Sequence, residues 1–402
     1  MAKILYIHQY FETPEESGRT RSYWFAKKLV EAGHAVTIIT SMHAHSKRKE
    51  GVYQIDGFTV KYVKNTYDNS MSIPAKLWSF IRFMVASSII CLKEKQVDLL
   101  YATSTPLTVG IPALLRKVFK KTPYIFEVRD LWPEFPIQIG AIKNKLLIKA
   151  LRYLEKKIYK NAVHIVALSP GMRDGVVSTG IRKEKISVIP NMSKPDIFYP
   201  RPLNEKVVKK YGFASKDFKV IHFGTMGIAN GLDYIIDAAE ILKVNKVDNV
   251  HFYFAGQGAM ESRLKKECET RSLDKVHFLG YMNTFEISEV VNCCDLTITT
   301  FENLPVLQTN SPNKLFDSLS AGKPCVVNSA GWTKDLVEEA ACGVYVDANQ
   351  PEELANKVIE LKSKKDILKS MGENARSLSL SRYDKALLCE QFLEVMESHL
   401  DV

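Results

Sequence analysis

Short apolar runs separated by amphipathic stretches recur along the whole chain. In the amino-terminal half the runs are KILYIHQY near the start, AVTIIT (35–40), VDLLYA (97–102), YIFEV (124–128), AVHIVAL (162–168) and ISVIP (186–190). Strands buried on both faces form such continuous apolar runs, and the stretches between them form helices that cover the faces. The pattern therefore predicts a parallel α/β sheet, with a first helix from about Thr20 to Ala32.

The carboxyl-terminal half shows the same alternation. Its predicted strands are KVIHFG (219–224), VHFYFAG (250–256), KVHFLG (275–280), LTITTF (296–301), PCVVN (324–328) and VYVD (344–347). Helices are predicted between them over 231–243, 259–271, 284–293, 312–321, 333–341 and 351–363. The pattern therefore predicts a second doubly wound sheet in the carboxyl-terminal half. A last helix, about 384 to 400, has no strand after it.

A polar segment with three prolines, NMSKPDIFYPRPLNEK (191–206), separates the two halves. We predict a first domain over 1–195, a second over 205–380, and a terminal segment 381–402 that packs back on the first domain. Doubly wound sheets bind ligands beyond the carboxyl ends of their strands. We therefore expect the two domains to face one another across a cleft, with functional residues directly after strands.

Charge and cysteine content narrow the function classes. The net charge of +10 suits nucleic acid, an anionic membrane surface or an anionic substrate. Nucleic acid ranks last, because no zinc-finger, recognition-helix or RNA-binding aromatic motif accompanies the basic residues. Seven scattered cysteines without metal-like spacing predict reduced thiols in a cytosolic protein. No histidine pair has the spacing of metal ligands, so we predict no obligatory metal.

A glycine-rich loop follows the first strand of the carboxyl-terminal half. HFGTMGIANGLDYIIDAAEIL (222–242) forms a strand–loop–helix unit, yet it has no lysine or arginine between Gly224 and Asp233. Such loops often hold phosphates through their backbone N–H groups. The positive charge that a phosphate needs must then come from elsewhere in the chain.

The stretch TNSPNKLFDSLSAGKPCVV (309–327) offers that charge. Ser311 suits a helix N-cap, Pro312 the first helical position and Gly322 the left-handed stop. Lys314 and Asp317 fall on one face of this helix. A helix amino terminus with a lysine binds anions, and the aspartate can accept two ribose hydroxyls. The alternative is a surface helix with an ordinary salt bridge between the two residues.

A third stretch, FEVRDLWPEF (126–135), brings carboxylates to the end of a strand. Asp130 is the first candidate to orient or deprotonate an acceptor hydroxyl, and Glu134 is the second. The alternative is an ion pair of Arg129 with a neighbour that fixes the loop. Arg19 and Arg21, at the start of the first helix, could meet an anionic acceptor.

These motifs resemble those of a known family. SPNKLFDSLSAGKPCVV is similar to the nucleotide-binding motif P-x-K-x-x-E-x-x-A-x-G-x-P-V of retaining GT-B glycosyltransferases of the large sucrose-synthase-like group. HFGTMG, FYFAGQGAMESRLKK, VHFLGYM and LSPGMRDGVV extend the resemblance over nearly the whole chain. The segment 126–140 and the loop after 222 are most similar to bacterial O-antigen and capsule enzymes, including fucosamine-type aminosugar transferases.

The resemblance implies an α/β protein of GT-B fold, with two Rossmann-like domains. It implies a retaining hexosyltransferase that uses a UDP-sugar, without metal or cofactor, in bacterial polysaccharide biosynthesis. The acceptor would be a lipid-linked glycan, and the enzyme would be cytoplasmic or peripheral on the inner face of the membrane. The predicted catalytic residues are Lys314, Asp317 and Asp130. The predicted donor-binding residues are Gly18, Gly224, Thr225, Gly227, Gly256, Gly258, Arg263, Lys314, Leu315 and Asp317, and those on the acceptor side are Arg19, Arg129 and Glu134.

The sequence departs from the family pattern at three positions. Thr225 and Asn230 stand where the family motif F-G-R-x-x-x-x-K-G has arginine and lysine. Thr309 stands at the first acidic position of the family's E-x7-E pair, of which Asp317 is the second. The positive charge for the phosphates then falls mainly on Lys314, with Arg263 as a second source.

Two further questions stay open at this level. The chain could be a UDP-sugar 2-epimerase of GT-B fold, or a non-catalytic subunit that binds nucleotide or lipid. The segment 73–95, with Trp78, Phe80, Phe83 and Met84 on a broad apolar face, could pack on the first sheet or dock on an anionic bilayer together with 143–160. Its interrupting charges argue against a membrane span.

Overall fold

The computed structural model describes residues 1–16, 20–43, 48–67, 71 and 73–400. The chain divides into two compact units. The first comprises Met1–Pro190, Thr309–Ser311 and Ala386–Val402, and the second comprises Asn191–Gln308 and Pro312–Lys385. The Gly18 and Arg19 predictions lie outside the described residues.

The first unit is built on an eight-stranded sheet. Its strands are β1 (Lys3–His8), β2 (Ala35–His43), β3 (Gly51–Ile55), β4 (Phe58–Tyr67), β5 (Leu99–Thr103), β6 (Tyr124–Val128), β7 (His164–Ala167) and β8 (Ile186–Val188). Their spatial order is β3-β4-β2-β1-β5-β6-β7-β8. Every residue of β5 and β6 is buried, as the continuous apolar runs predict for central parallel strands.

This first sheet is mixed, which corrects the prediction of a wholly parallel one. β3 and β4 form an antiparallel hairpin that the apolar-run analysis missed. Asp56 and Gly57 join the two strands, with positive φ angles of 43° and 89°. An Asp-Gly pair with both φ angles positive is typical of the two-residue hairpin turn that matches strand twist.

The helices of the first unit lie between these strands. They are α1 (Arg21–Glu31), α2 (Ile73–Lys93), α3 (Gly110–Lys120), α4 (Glu134–Gln138), α5 (Lys145–Asn161) and α6 (Pro170–Ser178). Helix α2 packs against α3, and α3 packs against α5, so the three are neighbours in one layer. The last helix of the chain (Lys385–Glu397) also contacts this unit, where Phe392 stacks on Phe25 with ring centroids 3.9 Å apart.

The second unit contains a six-stranded sheet whose strands all run parallel. The strands are β9 (Phe218–Phe223), β10 (Val250–Ala255), β11 (Val276–Gly280), β12 (Leu296–Thr299), β13 (Cys325–Val327) and β14 (Gly343–Tyr345). The six predicted strands are confirmed. Their spatial order is β11-β10-β9-β12-β13-β14, so the chain changes direction between β9 and β12. Ligands of doubly wound sheets bind at such a switch point.

The helices of the second unit cover both faces of this sheet. They are α7 (Glu205–Tyr211), α8 (Asp233–Val244), α9 (Glu261–Thr270), α10 (Thr284–Asn292), α11 (Asn313–Ser320), α12 (Trp332–Glu339), α13 (Pro351–Ser363) and α14 (Lys365–Arg382), and the last helix of the chain is α15. The six helices predicted here between residues 231 and 363 match α8 to α13 with ends within two residues. Helices α7 and α14 were not predicted.

Candidate active site

Lys314 lies at the switch point of the second unit, in the first turn of α11. Its Nζ donates a hydrogen bond to Asn230 Oδ1 at 3.0 Å and lies 3.1 Å from His222 Nε2. Among the described residues, no carboxylate is in ion-pair range of this ammonium. Burial lowers the pKa of Lys314 to about 7. The site therefore holds a cation for which the described residues supply no countercharge.

His222 and Asn230 position this lysine. His222 is buried, and burial together with the nearby ammonium lowers its pKa well below the ordinary value, so the imidazole is neutral. A neutral ring protonated at Nδ1 can accept from the lysine at Nε2. Asn230 Nδ2 donates to the Thr225 carbonyl at 2.9 Å. The asparagine at the family's lysine position thus ties Lys314 to the glycine-rich loop.

The glycine-rich loop after β9 packs backbone to backbone on the loop after β10. Gly224 and Gly256 have φ angles of 107° and 136°, and a Cβ on Gly256 would lie 2.0 Å from the Gly224 carbonyl oxygen. A Cβ on Gly258 would lie 2.3 Å from the Met226 carbonyl oxygen. Side chains at these positions would push the loops apart, which gives a physical reason for glycine there.

The amides of this loop divide into two sets. Those of Gly224 and Met226 donate to the carbonyls of Ala255 and Gln257, at 2.8 and 2.9 Å, and hold the two loops together. Those of Thr225 and Gly227 have no acceptor among the residues that the structure describes. The second set, with the first turn of α11, is what the unit can offer to an anion.

Helix α11 begins one residue later than predicted, with Pro312 as its N-cap and no capping side chain. Gly322 has the expected left-handed conformation, with φ of 63°. Leu315 is fully buried in the core, and its amide donates to the Pro312 carbonyl at 3.1 Å. Leu315 therefore supports the helix, and neither its side chain nor its amide is presented to a ligand.

Asp317 is paired with a residue that the sequence analysis did not single out. Its carboxylate lies 3.1 Å from Lys194 Nζ, and both side chains are buried. Burial raises the pKa of Asp317, and Lys194 opposes that rise. The alternative of a Lys314–Asp317 salt bridge is wrong, because each residue has a different partner. No signal in the sequence links Lys194, within the predicted linker, to α11.

Arg263 does not contribute to the charge around Lys314 in this structure. It lies on α9, is about half exposed, and its guanidinium pairs with Asp233 and lies 3.5 Å from Glu267. Two carboxylates therefore match its charge. Among the donor-side cations that the sequence analysis named, Lys314 is the one without such a partner in the described part of the chain.

In the first unit, Asp130 follows β6. Thr105 Oγ1 donates to its carboxylate at 3.4 Å, and burial raises the pKa of Asp130 to about 6, although Arg129 opposes the rise. Arg129 lies 3.2 Å from His8 Nε2, at the end of β1. At neutral pH the carboxylate is ionised but more basic than an ordinary aspartate, which suits a proton acceptor.

The other carboxylates of this segment have cationic partners. Glu134 accepts from Arg152 at 2.9 Å. Glu127 is fully buried and accepts from Arg21 Nε at 2.8 Å, and Arg21 also donates to the Ile189 carbonyl at 2.8 Å. The expectation that Arg21 meets an anionic acceptor is wrong, because Arg21 and Glu127 neutralise one another in the core. Asp130 has no ion-pair partner among the described residues.

Metal-ligating clusters are absent from the described residues: no group of three or more histidine, cysteine, aspartate or glutamate side chains could hold a metal ion. All seven cysteines are buried and unpaired with one another.

Comparisons with known proteins relate both halves of the chain to glycosyltransferases. The model of the glycosyl transferase 4-like domain matches residues 18–192, and that of glycosyl transferases group 1 matches residues 204–378. Both halves of the chain thus match domain models of glycosyltransferases. The chain is 21% identical over 410 residues to the probable glycosyltransferase WbjE of Pseudomonas aeruginosa, covering 98% of this chain and 97% of that protein.

Solved structures confirm the GT-B architecture. Sucrose-phosphate synthase from Thermosynechococcus elongatus aligns with a TM-score of 0.79 at 14% identity, over 99% of each chain. Anabaena HepE in complex with UDP and glucose aligns with a TM-score of 0.70 at 17% identity, over 99% of this chain and 100% of that one. At these identities the likeness concerns the fold. The chain is thus a GT-B glycosyltransferase.

Proposed function

We propose that this glycosyltransferase moves a sugar, with retention of configuration, from a UDP-sugar to a lipid-linked glycan in bacterial surface polysaccharide synthesis. The observation that carries the proposal is the Lys314 ammonium in the first turn of α11, held by Asn230 and without a carboxylate partner among the described residues. The aminosugar donor and the O-antigen or capsule pathway are supported by the motif resemblance alone. UDP as the nucleotide is supported by the fold neighbour HepE, which binds UDP and glucose.

The donor chemistry follows from the charge at α11. When the bond between the anomeric carbon and the diphosphate oxygen breaks, negative charge grows on the leaving diphosphate. Lys314, the amino-terminal dipole of α11 and the amides of Thr225 and Gly227 would stabilise that charge. Diphosphate binding would also raise the pKa of Lys314, because an anion beside the ammonium favours its charged form. The lysine would therefore be fully charged when the bond breaks.

Asp317 would hold the ribose. Lys194, 3.1 Å from the carboxylate, opposes the rise that burial gives to the pKa of Asp317, and the remaining lone pairs would accept from sugar hydroxyls. The backbone around Gly256 and Gly258 and the residues after Phe278 would enclose the base. The family resemblance adds Gly18 to the proposed donor-binding residues.

Residues of the first unit would bind the acceptor and activate its hydroxyl group. Asp130 is the carboxylate that would orient the acceptor hydroxyl and take its proton as the new glycosidic bond forms, on the face that the diphosphate leaves. Arg129 would then hold the loop that carries Asp130, and Arg19 would meet an anionic acceptor group. Glu134 is a weaker candidate because Arg152 engages it.

The first experiment is a thermal-shift screen of nucleotide sugars with the whole enzyme. A specific donor at a hundred times its dissociation constant should add about 2.7 kcal/mol to the free energy of unfolding. We expect one UDP-sugar to stabilise the enzyme more than free UDP does. Indifference to every nucleotide would contradict the proposal.

A transfer assay with that donor separates the alternatives. Transfer to a lipid-linked acceptor supports the proposal, whereas conversion of the UDP-sugar without an acceptor would indicate an epimerase. Donor binding without either reaction would indicate a non-catalytic subunit. Activity that persists in a chelator would support metal independence, and activity that needs an added divalent cation would refute it.

A further inference from the structure

Helix α2 exposes a row of large apolar side chains. Five of them are between 37% and 61% exposed, and they recur at spacings that place them on one face of the helix: Leu77, Trp78, Ile81, Val85 and Ile89. Exposed apolar side chains scattered singly are ordinary, but a contiguous row marks an interaction site. This row is not used by the proposed donor or acceptor chemistry.

The opposite face of α2 is part of the core of the first unit. Phe83, Ser87 and Cys91 are fully buried there, and Asn65 of β4 donates to Ser79 at 3.0 Å. By length and composition, Ala75–Lys93 is the one helix in the described residues that could cross a membrane. A span would strip this buried face from the sheet. The fold therefore favours a helix that lies flat, with one side in the protein and the other outside.

The helices beside α2 add positive charge. Helices α2, α3 and α5 contain three, three and six lysine or arginine residues, and their one acidic residue, Glu155, is buried. The three helices thus carry a net charge of +11, whereas the whole chain carries +10. The rest of the protein is close to neutral, so the basic balance of the sequence is concentrated in this one layer.

Further apolar side chains are exposed within the same layer. Val118 and Phe119 are exposed near the end of α3, where Arg116 donates to the Glu94 carbonyl just after α2. Leu146 and Tyr153 are exposed on α5. Apolar side chains among lysines and arginines, with few acids, are typical of helices that lie in a membrane interface.

We propose that the outer surface of α2, α3 and α5 docks in plane on a bilayer that contains anionic lipid. The apolar row of α2 would enter the interface, and the basic residues of α3 and α5 would contact the headgroups. A second copy of this chain is a poor occupant of the same surface, because it would bring another +11 charge against the first. Anionic headgroups match both the apolar row and the charge.

Docking would place the acceptor-side loop near the headgroups. Phe80 of α2 packs edge-to-face on Trp132, with ring centroids 6.2 Å apart. Trp132 is two residues from Asp130. The helix that binds the bilayer would therefore contact the segment that carries the candidate base. This step rests on the proposed function, since a lipid-linked acceptor is what the arrangement would serve.

Vesicle flotation of the full chain, without donor or acceptor, tests the proposal. We expect binding to phosphatidylcholine vesicles that contain phosphatidylglycerol, and little binding to pure phosphatidylcholine. The variant Trp78→Ser/Ile81→Ser/Val85→Ser should lower the partition coefficient by about tenfold or more. The matched control Val52→Ser/Val244→Ser removes two apolar side chains exposed elsewhere, and it should bind like the wild type.

Charge is tested by Lys149→Gln/Lys156→Gln, which should weaken binding several-fold and reduce its dependence on salt. Three results would overturn the proposal: no binding to anionic vesicles, equal binding by the α2 variant, or a wild-type dimer in sedimentation that this variant makes monomeric. UDP-induced thermal stabilisation is measured on the same samples. If it is absent while flotation succeeds, the proposed function fails and the docking surface stands.

Discussion

The two units arrange their charges in opposite ways. In the interior of the first unit, the Arg21 guanidinium meets the Glu127 carboxylate at 2.8 Å, and both side chains are almost wholly buried. The helices α2, α3 and α5 together carry a net charge of +11. Positive charge in this unit is therefore matched in the core pair and in excess over negative charge in one layer of helices.

In the second unit the surface arginine Arg271 is matched, whereas Lys314 at the sheet's switch point has no carboxylate partner among the described residues. Arg271 of this unit pairs with Asp237, Glu240 and Glu267 on the surface. Lys314, desolvated at the start of α11, has a histidine and an asparagine as its neighbours. Positive charge without a protein countercharge indicates where an anion from outside binds. We therefore propose a diphosphate as the ligand of the second unit and anionic lipid as the ligand of the first.

The largest expected effect would come from breaking the matched charge in the core. Arg21→Met leaves the Glu127 carboxylate buried without its partner, so the free energy of unfolding should fall by about 3–5 kcal/mol. Chemical denaturation measures the loss, and Arg21→Met/Glu127→Leu should recover part of it. The control Arg152→Met removes an exposed guanidinium paired with Glu134 and should cost under about 1 kcal/mol. Equal losses for both arginines would contradict the distinction between matched core and surface pairs.

Removal of the Lys314 ammonium should lower turnover without lowering the thermal stability of the enzyme. Lys314→Met should lower kcat by about 10²–10³-fold, because it removes a charge that stabilises the leaving group. Its melting temperature without ligand should not fall, since a desolvated ammonium is unfavourable in the free protein. Steady-state kinetics and thermal melts check both expectations. A destabilised variant with normal turnover would show that Lys314 is a structural residue.

The pH dependence should reveal both candidate groups. Asp130 must be ionised to accept a proton, so kcat/KM should fall about tenfold per pH unit below its pKa of about 6. Lys314 must be protonated, so the same quantity should fall as pH rises above about 7. Asp130→Asn should abolish the acidic limb, and Glu134→Gln should leave it. The pH range from 5 to 6 lies just below the pKa of Asp130, which is about 6. If kcat/KM stays constant over that range, Asp130 is not the base.

The smallest effect should come from a matched surface cation. Arg263→Ala removes a guanidinium already paired with Asp233 and near Glu267. We expect a change in donor KM below about threefold and a stability loss under about 1 kcal/mol. A large rise in donor KM would show that Arg263 binds the diphosphate, as the sequence predicted. It would then contradict the view that a matched cation contributes little to donor binding.

The fold was predictable where hydrophobic periodicity alone decides it. All six strands of the second sheet follow from short apolar runs, and the four central strands, β10, β9, β12 and β13, are buried almost throughout. The hairpin of β3 and β4 was missed since its exposed edge strand alternates in burial and forms no such run. The Asp56–Gly57 pair is the signal that could have found it.

The candidate site was predictable at its centre and less so around it. The spacing in α11 identified Lys314, but it could not show that Asp317 would pair with Lys194, 123 residues away along the chain. Nor could it show that Asn230 and His222, from another strand and loop, would hold the lysine. Helical spacing shows which side chains share a face, whereas their partners depend on tertiary packing.

The central claim is that Lys314 is a cation, partly removed from water, that binds the diphosphate of the donor. Isotope-edited NMR of the lysine side chains, assigned with Lys314→Arg, measures its pKa directly. The account predicts a pKa of about 7 for Lys314 in the free enzyme and a clear rise when UDP saturates the site. An ordinary lysine pKa of about 10.4 that UDP leaves unchanged would contradict it.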